Sequence, residues 1–493
     1  MPVEAHAHVQ AALPAHDWNK LGILLAGLGV FLAVFFMPAW PAAIDPGGKA
    51  FALSPEGKAA IGLFLMAGIW WIWEVIPIGV TAIAIGVFQA LFLIRPAREA
   101  FRDFMDPSVL FIFGSIVIGL AFTQSGLTRR IAYTMLAVAG ENTRMILLGC
   151  LVVTAGLAHV MAHTAVAATM FPILLAIYAL YGEGDKQTRF GKSLFIGMAY
   201  AAGAGSIITF LGAARGPAAA GMYKEFTGQE IGFFELTSYM FVIGWLMVFA
   251  IWLYLIVFLK PEKDAIPGLK HTVKRLADGL GPMTRQERTV LGIVFGVVLL
   301  MSLKGVVPFL QPIDRAALML CSTLLFFILG ILTVKNLEEI PWNIILLFSG
   351  AMSIGFCLWQ TGAAEWMAVQ WLALLKEAHW FVFVMGIAAF VLLLTNFIMN
   401  VAAIAIVLPV ALVIARYMGV APDVVMYASL VTAGMPFLLL IGAAPNAIAY
   451  DSRQFSTGEF FRHGLLLSLV LLVLLAGAVT VLWPLLGMPV RVQ

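Results

Sequence analysis

Residues 163–177 read HTAVAATMFPILLAI, and residues 400–414 read NVAAIAIVLPVALVI. Each is an apolar run opened by a polar residue, His163 or Asn400, and each carries a proline at its tenth position. The prolines, Pro172 and Pro409, stand 237 residues apart. Two more blocks repeat in the same order. FGSIVIGLAFTQSGLTRRIAYTML begins at Phe113 and FSGAMSIGFCLWQTGAAEWMAVQWL at Phe348, with Gly126 meeting Gly362 at an offset of 236. TFLGAARGPAA at Thr209 pairs with LLIGAAPNAIA at Leu439, with Gly212 meeting Gly442 at an offset of 230. Three blocks at nearly constant offset mark an internal duplication.

The chain has 493 residues, of which 62% are hydrophobic and only 11% charged, with a mean hydropathy of +1.00. A soluble domain is about half apolar and a quarter charged, so this composition specifies an integral membrane protein. The net charge of +3 is too small to argue for nucleic acid. Cys150, Cys321 and Cys357 all sit in apolar runs and read as isolated thiols, not a disulfide or metal framework. The N-terminus is polar without a basic n-region, so the apolar run after it reads as a retained first helix.

Spans are expected at about 21–40, 59–75, 77–94, 106–124, 193–224, 232–259, 288–303, 313–334, 340–360, 424–450 and 463–487. Two regions, 143–181 and 379–418, are each about 40 apolar residues with a polar or helix-breaking cluster in the middle. Half-helices of about 16 residues reach about 24 Å, short of the roughly 30 Å bilayer core. Re-entrant hairpins are therefore favoured over pairs of full spans. An odd number of spans between matching points inverts the second copy. The expected fold class is an all-α polytopic membrane protein of about eleven helices, with an inverted repeat, two re-entrant hairpins and interrupted helices. Residues 1–58 form a tail and first helix, 59–259 the first repeat, 260–287 a cytoplasmic linker and 288–493 the second repeat. Inverted repeats with broken helices at matching places point to a secondary transporter whose site lies at the repeat interface.

The longest polar loop, Lys260 to Arg288, holds seven Lys/Arg and is placed in the cytoplasm. Six spans precede it, so the N-terminus is cytoplasmic and the C-terminus outside, in a cell membrane expected to be a bacterial inner membrane. The 95–102 loop, with Arg95, Arg98 and Arg102, then falls outside, against the rule.

Four places can line a central site: the tips MAHTA (161–165) and IMNVA (398–402), and the breaks FLGAARGPA (210–218) and LIGAAPNAI (440–448). Gly and Pro interrupt helical hydrogen bonding there. Half-helix N-termini aimed at one spot attract anions. Together with WWIWEVIPIGVTAI (70–83), these motifs resemble the divalent-anion/sodium symporter family, over roughly 59–487. In that family each tip carries Ser-Asn-Thr and each broken helix Thr-Pro-Pro-Asn or similar. Asn and Thr side chains bind substrate carboxylates, while Ser, Asn and backbone carbonyls hold sodium.

Carried over position by position, the resemblance implies substrate-binding roles for Ala162, His163, Thr164, Ala213, Asn400, Val401, Ala443, Ala444, Pro445 and Asn446; Arg215 joins them on its charge and Thr209 as a hydroxyl at the break. The resemblance implies coupling-ion positions at Ala162, His163, Gly212, Met399, Asn400 and Gly442. It also implies a homodimer with a fixed scaffold and a moving transport domain, partnered only by a small anion and the lipid bilayer. No catalytic residue, metal or organic cofactor is expected, and sodium is left open.

The departures carry information. Ser-Asn-Thr becomes Ala162-His163-Thr164 at one tip and Met399-Asn400-Val401 at the other. Thr-Pro-Pro-Asn becomes Ala213-Ala214-Arg215-Gly216 and Ala443-Ala444-Pro445-Asn446. Both sodium-ligating serines have lost their hydroxyl. Arg215 stays charged and presents a planar fork suited to carboxylate or sulfonate. The expectation is that Arg215 and His163 supply positive charge where relatives bind sodium, giving sodium-independent exchange or proton coupling of a dicarboxylate, sulfonate or sulfate-like dianion.

His159, one turn before His163, is expected to make a structural hydrogen bond. The HxxxH spacing lacks a third ligand for a metal. Glu74 is assigned to the cytoplasmic interface, and 127–140 and 363–378 to amphipathic arms along the membrane surface. The alternatives are a sodium-coupled symporter using backbone ligands and a cation/proton or arsenite-type antiporter. The antiporter needs an intramembrane carboxylate, and none stands at the broken helices. An enzyme would need a nucleophile–base pair that the sequence does not offer.

Overall fold

Several helix starts coincide with a cap that the sequence supplies. The Ser54 hydroxyl accepts from Gly57 N at 2.9 Å, and the Asp106 carboxylate from Ser108 N at 2.7 Å. Thr284 with Glu287, and Ser456 with Glu459, form capping boxes. Pro55, Pro107 and Pro422 each occupy the first turn, where a missing N–H costs nothing. The first-turn amides of a helix lack intrahelical partners, and a bilayer offers none.

The computed structural model describes residues 18–44, 50–73, 75–184, 186–304, 307–375, 379–397 and 399–491. Glu74 and Ile398 lie outside the described residues, as does most of the polar N-terminal tail. Uninterrupted helices run Trp18–Phe36, Pro55–Ile72, Ile78–Leu91, Pro107–Ser125, Phe233–Phe258, Arg285–Leu303, Arg315–Ile328, Trp342–Gln360 and Thr457–Gly477. Two more spans are broken, Arg189–Ser206 with Arg215–Thr227 and Pro422–Ala433 with Ala444–Tyr450. Every one of the eleven expected spans falls on one of these. Large apolar side chains cover the outside, as Phe249, Leu253 and Val257 do at four-residue steps along Phe233–Phe258.

Both ambiguous regions are hairpins. The first joins Thr143–Leu157 to His163–Tyr181, and the second joins Trp380–Thr395 to Asn400–Tyr417. The arm segments form helices Leu127–Ala139 and Ala363–Leu375, each 13 residues long. Each begins after a left-handed glycine, Gly126 at φ 83° and Gly362 at φ 73°.

The two halves pack reciprocally. Ile78–Leu91 lies on Trp342–Gln360, and its counterpart Arg315–Ile328 lies on Pro107–Ser125. Likewise Arg189–Ser206 meets Ala444–Tyr450 while Pro422–Ala433 meets Arg215–Thr227. The exchange reaches individual atoms. A Cβ at Gly350 would come within 2.5 Å of the Ala82 Cβ, and one at Gly114 within 2.6 Å of the Met319 side chain. Gly114 and Gly350 are repeat equivalents, as are Ala82 and Met319. Close approach at equivalent places is the mark of a pseudo-twofold relation between the halves.

The basic 95–102 segment is less exceptional than its sequence. Arg95 is buried, 2.8 Å from Asp103 and 3.1 Å from the Gln89 side-chain oxygen. It is a charge held inside the protein rather than a free one in a loop.

Candidate functional site

Each broken helix is pressed against the hairpin tip of its own repeat. A Cβ on Gly212 would lie 2.3 Å from the Ala158 carbonyl oxygen and 2.6 Å from that of Ser206. A Cβ on Gly442 would lie 2.8 Å from Pro436 Cβ and 3.0 Å from the Thr395 carbonyl oxygen. Ala158 and Thr395 are equivalent positions, as are Ser206 and Pro436. Only glycine lets the backbone of the break approach the tip this closely.

The first tip is tied by the backbone. His163 N donates to Gly212 O at 3.1 Å, and His163 Nδ1 stands 3.4 Å from the same oxygen. His163 begins its helix and is half-buried. The Thr209 hydroxyl donates to the His159 carbonyl and accepts from Leu211 N at 3.2 Å. His159 therefore contributes its carbonyl. Its ring nitrogens are buried and make no well-aligned hydrogen bond among the described residues, with the Ala155 backbone, one turn earlier, as the polar group beside the ring. Its ring stands edge-on to Trp245 at 5.5 Å, in an aromatic contact.

The second tip is tied by side chains. Asn396, the repeat equivalent of His159, is fully buried. Its Oδ1 accepts from Leu438 N at 2.7 Å and Leu439 N at 3.2 Å, and its Nδ2 donates to Leu392 O at 2.7 Å. Asn446 Nδ2 donates to Pro436 O at 2.8 Å and Leu439 O at 3.1 Å. The Thr395 hydroxyl stands 2.9 Å from Asn400 Oδ1 and 3.1 Å from Ala433 O, and its one proton is shared between these two acceptors. Asn396, Asn446 and Thr209 thus satisfy the backbone freed by the breaks.

Arg215 opens the second half of the first broken helix and is 2% exposed. Its Nη2 donates to Ser206 Oγ at 2.6 Å. Its Nη1 is buried and has no hydrogen-bond partner among the described residues. A Cβ on Gly434 would lie 2.8 Å from Nη2, so the guanidinium packs against the start of the other repeat's break. No described carboxylate lies within ion-pairing distance of it. A helix N-terminus is itself electropositive, so Arg215 adds charge of the same sign where an anion would balance both.

The structure brings His163 to Gly212, Asn400 to Thr395, Gly442 to Asn396, and Arg215 to Gly434. Ser206, Gly434 and Thr395 were not among the expected site residues. Ser206 carries a signal in hindsight, since it is a hydroxyl closing the half-helix at the repeat equivalent of Pro436. A 330 Å³ cavity lies among Asp106, Lys224, Glu225, Glu230, Asp314 and Arg315; Phe210 and Pro217 of the first break line it, and no tip residue does.

The sequence matches the family model described as the sodium:sulfate symporter transmembrane region over residues 15–489. The chain belongs to this family. It is similar to the sodium-dependent dicarboxylate transporter SdcS of Staphylococcus saprophyticus, 26% identical over 450 residues and 86% of each chain. The Staphylococcus aureus SdcS is 26% identical over 438 residues, 84% of each. Among solved structures, the Alcanivorax borkumensis YdaH transporter superposes with a TM-score of 0.59 at 13% identity, covering 96% of this chain and 99% of that one. Neisseria gonorrhoeae MtrF superposes with a TM-score of 0.57 at 13% identity, covering 95% of each. At that identity both are matches of fold. Family membership places the chain in the cell membrane as a transporter, not an enzyme.

Proposed function

We propose that the chain is a secondary transporter of small dianions, dicarboxylates or sulfate-like species, that uses fixed positive charge where its relatives use sodium. The observation that carries this reading is Arg215. The guanidinium is buried at the seam of the two repeats and holds the Ser206 hydroxyl, and among the described residues one of its nitrogens has no partner and no carboxylate stands beside it. Leaving a buried donor bare costs free energy, and an arriving carboxylate or sulfate oxygen would remove that cost.

The same contacts argue against sodium at the first tip. The Ser206 hydroxyl faces a cation already, and the Gly212 carbonyl accepts from His163 N. His163, Thr164 and Ala162 form the tip beside Gly212 and Ala213, while Asn400, Val401 and Met399 with Ala443, Ala444, Pro445 and Asn446 supply the opposite wall. The names of the SdcS relatives favour a second reading, sodium-coupled dicarboxylate symport through backbone carbonyls.

In this reading 59–259 and 288–493 are the repeats and 260–287 the cytoplasmic linker, with the N-terminus inside and the C-terminus outside. The hairpins and broken helices move together as an elevator in a homodimer, and the arm helices after Gly126 and Gly362 join them to the scaffold. Initial rates of radiolabelled succinate and sulfate uptake into proteoliposomes, with sodium or choline as the only cation, test the coupling. Rates within about twofold of each other are expected. Strict dependence on sodium would overturn fixed-charge substitution and support the second reading.

A further inference from the structure

A second cavity, of 570 Å³, lies at the seam between an arm and a hairpin on the side of the Lys260–Arg288 loop. Three walls enclose it: the arm helix with Thr128, Arg129 and Tyr133, the outer hairpin helix from Ala168 to Leu180, and the loop helix Leu269–Gly279. Its volume falls in the range of small-molecule sites, about 300–1,000 Å³, which is room for the head and upper chain segments of a lipid whose chain ends run on into the bilayer. We propose that it is a binding site for one anionic diacyl phospholipid.

The lining separates by chemistry along the cavity. Ile173, Ile177, Leu269 and Val273 form a buried apolar wall, and Leu180 and Leu276 extend it outward at 44% and 42% exposure. Ala168 to Leu180 is about 18 Å of helix at 1.5 Å per residue, close to the roughly 15 Å of hydrocarbon in one leaflet. Two of the threonine hydroxyls in the lining are spent within their own helices. Thr123 Oγ1 donates to Gly119 O at 3.1 Å, and Thr169 Oγ1 to Ala165 O at 3.0 Å. An acyl chain matches such a surface, and a small hydrophilic anion does not.

The charge around the cavity matches a phosphate head. Arg129 and Arg130 are neighbours with different fates. Arg130 is committed to Glu287 at 2.8 Å and to the carbonyls of Leu280, Gly281 and Pro282. Arg129 lines the cavity, is exposed and makes no ion pair among the described residues. Helix Leu269–Gly279 turns Leu269, Val273 and Leu276 to the cavity and exposes Lys270, Lys274 and Arg275 on its other faces. An apolar stripe flanked by basic residues is the pattern of a helix seated on anionic lipid. The lipid would fill the seam between arm and hairpin and hold the loop helix over it.

Native mass spectrometry of the purified full chain tests this, with phosphatidylglycerol or phosphatidylcholine added at equal concentration. One phosphatidylglycerol is expected to be retained in preference to phosphatidylcholine. Arg129→Gln should lower that retention about fivefold, the equivalent of the ~1 kcal/mol a basic side chain gains at an anionic surface, and Arg129→Lys should restore it. Ala176→Trp should block retention by filling the cavity. Equal retention of the two lipids, or retention unchanged in both Arg129→Gln and Ala176→Trp, would overturn the site. Should either variant misfold, a cryo-electron microscopy map of the unaltered protein in phosphatidylglycerol nanodiscs decides: a two-tailed density in the cavity is expected, and an empty or water-filled cavity refutes the proposal.

Discussion

Replacing Arg215 by methionine separates a substrate role from a structural one, because the two predict opposite signs. The guanidinium is 2% exposed and its only hydrogen bond among the described residues is to Ser206 Oγ, at 2.6 Å. That hydroxyl keeps its donation to Gly203 O at 2.7 Å when the arginine is gone. Methionine has similar length and no charge, so it leaves no bare partner and little void. An arginine at membrane depth costs about 2.5–3.5 kcal/mol, and removing it relieves part of that cost. The ligand-free variant should unfold at the same temperature as the parent or a higher one. Affinity should move the other way. A charge-assisted hydrogen bond is worth about 1.5–3 kcal/mol, so half-saturation for succinate or sulfate should rise roughly 10- to 150-fold. Thermal unfolding of the purified protein with and without anion reads the first quantity, and proteoliposome uptake the second. A variant that melts well below the parent yet keeps its anion-induced stabilisation and its half-saturation would show that Arg215 is structural.

Asn396→Ala removes the acceptor for Leu438 N and Leu439 N, at about 1–3 kcal/mol for each buried N–H left bare. It should lower the unfolding midpoint, while Asn396→Asp keeps the acceptor and should lose less; equal midpoints for parent and alanine variant would refute the capping role. Glu262 gives a pH signature on the loop side. Burial pushes its carboxyl up, but the amides of Arg189 and Phe190 and the Tyr181 hydroxyl outweigh burial and hold it below its ordinary 4.5. Its contribution is present above that ordinary value and lost as pH falls through the depressed one. The gap in unfolding midpoint between parent and Glu262→Gln should therefore be fully open at neutral pH and close on acidification below the carboxylate range; a gap independent of pH would refute it.

The duplication was legible because it is written in spacing. Pro172 and Pro409, or Gly126 and Gly362, keep their offset through any number of substitutions between them, and the offset of 230 at Gly212 and Gly442 shows how little insertion or deletion has disturbed it. The hairpins were legible as apolar runs with a polar or helix-breaking cluster in the middle, whereas length alone did not set them apart, since His163–Tyr181 and Asn400–Tyr417 are 19 and 18 residues long and apolar enough to cross a membrane. The fate of individual polar side chains was not legible. Asn396 and His159 occupy equivalent places, yet one caps the break with its side chain and the other only with its carbonyl. No local pattern distinguishes them, because the choice depends on which backbone amides the neighbouring break leaves free.

The sequence by itself determined a membrane protein of two inverted halves, with interrupted elements at matching places, since hydropathy and period are properties of the chain alone. It also drew attention to Arg215, because a charge in an apolar run is conspicuous before any folding. Only the tertiary structure decided what that charge faces: the Ser206 hydroxyl from its own half, Gly434 from the other, and no described carboxylate. The hydroxyl partner comes from the same break, but Gly434 belongs to the other half of the chain and reaches the guanidinium only when the repeats pack.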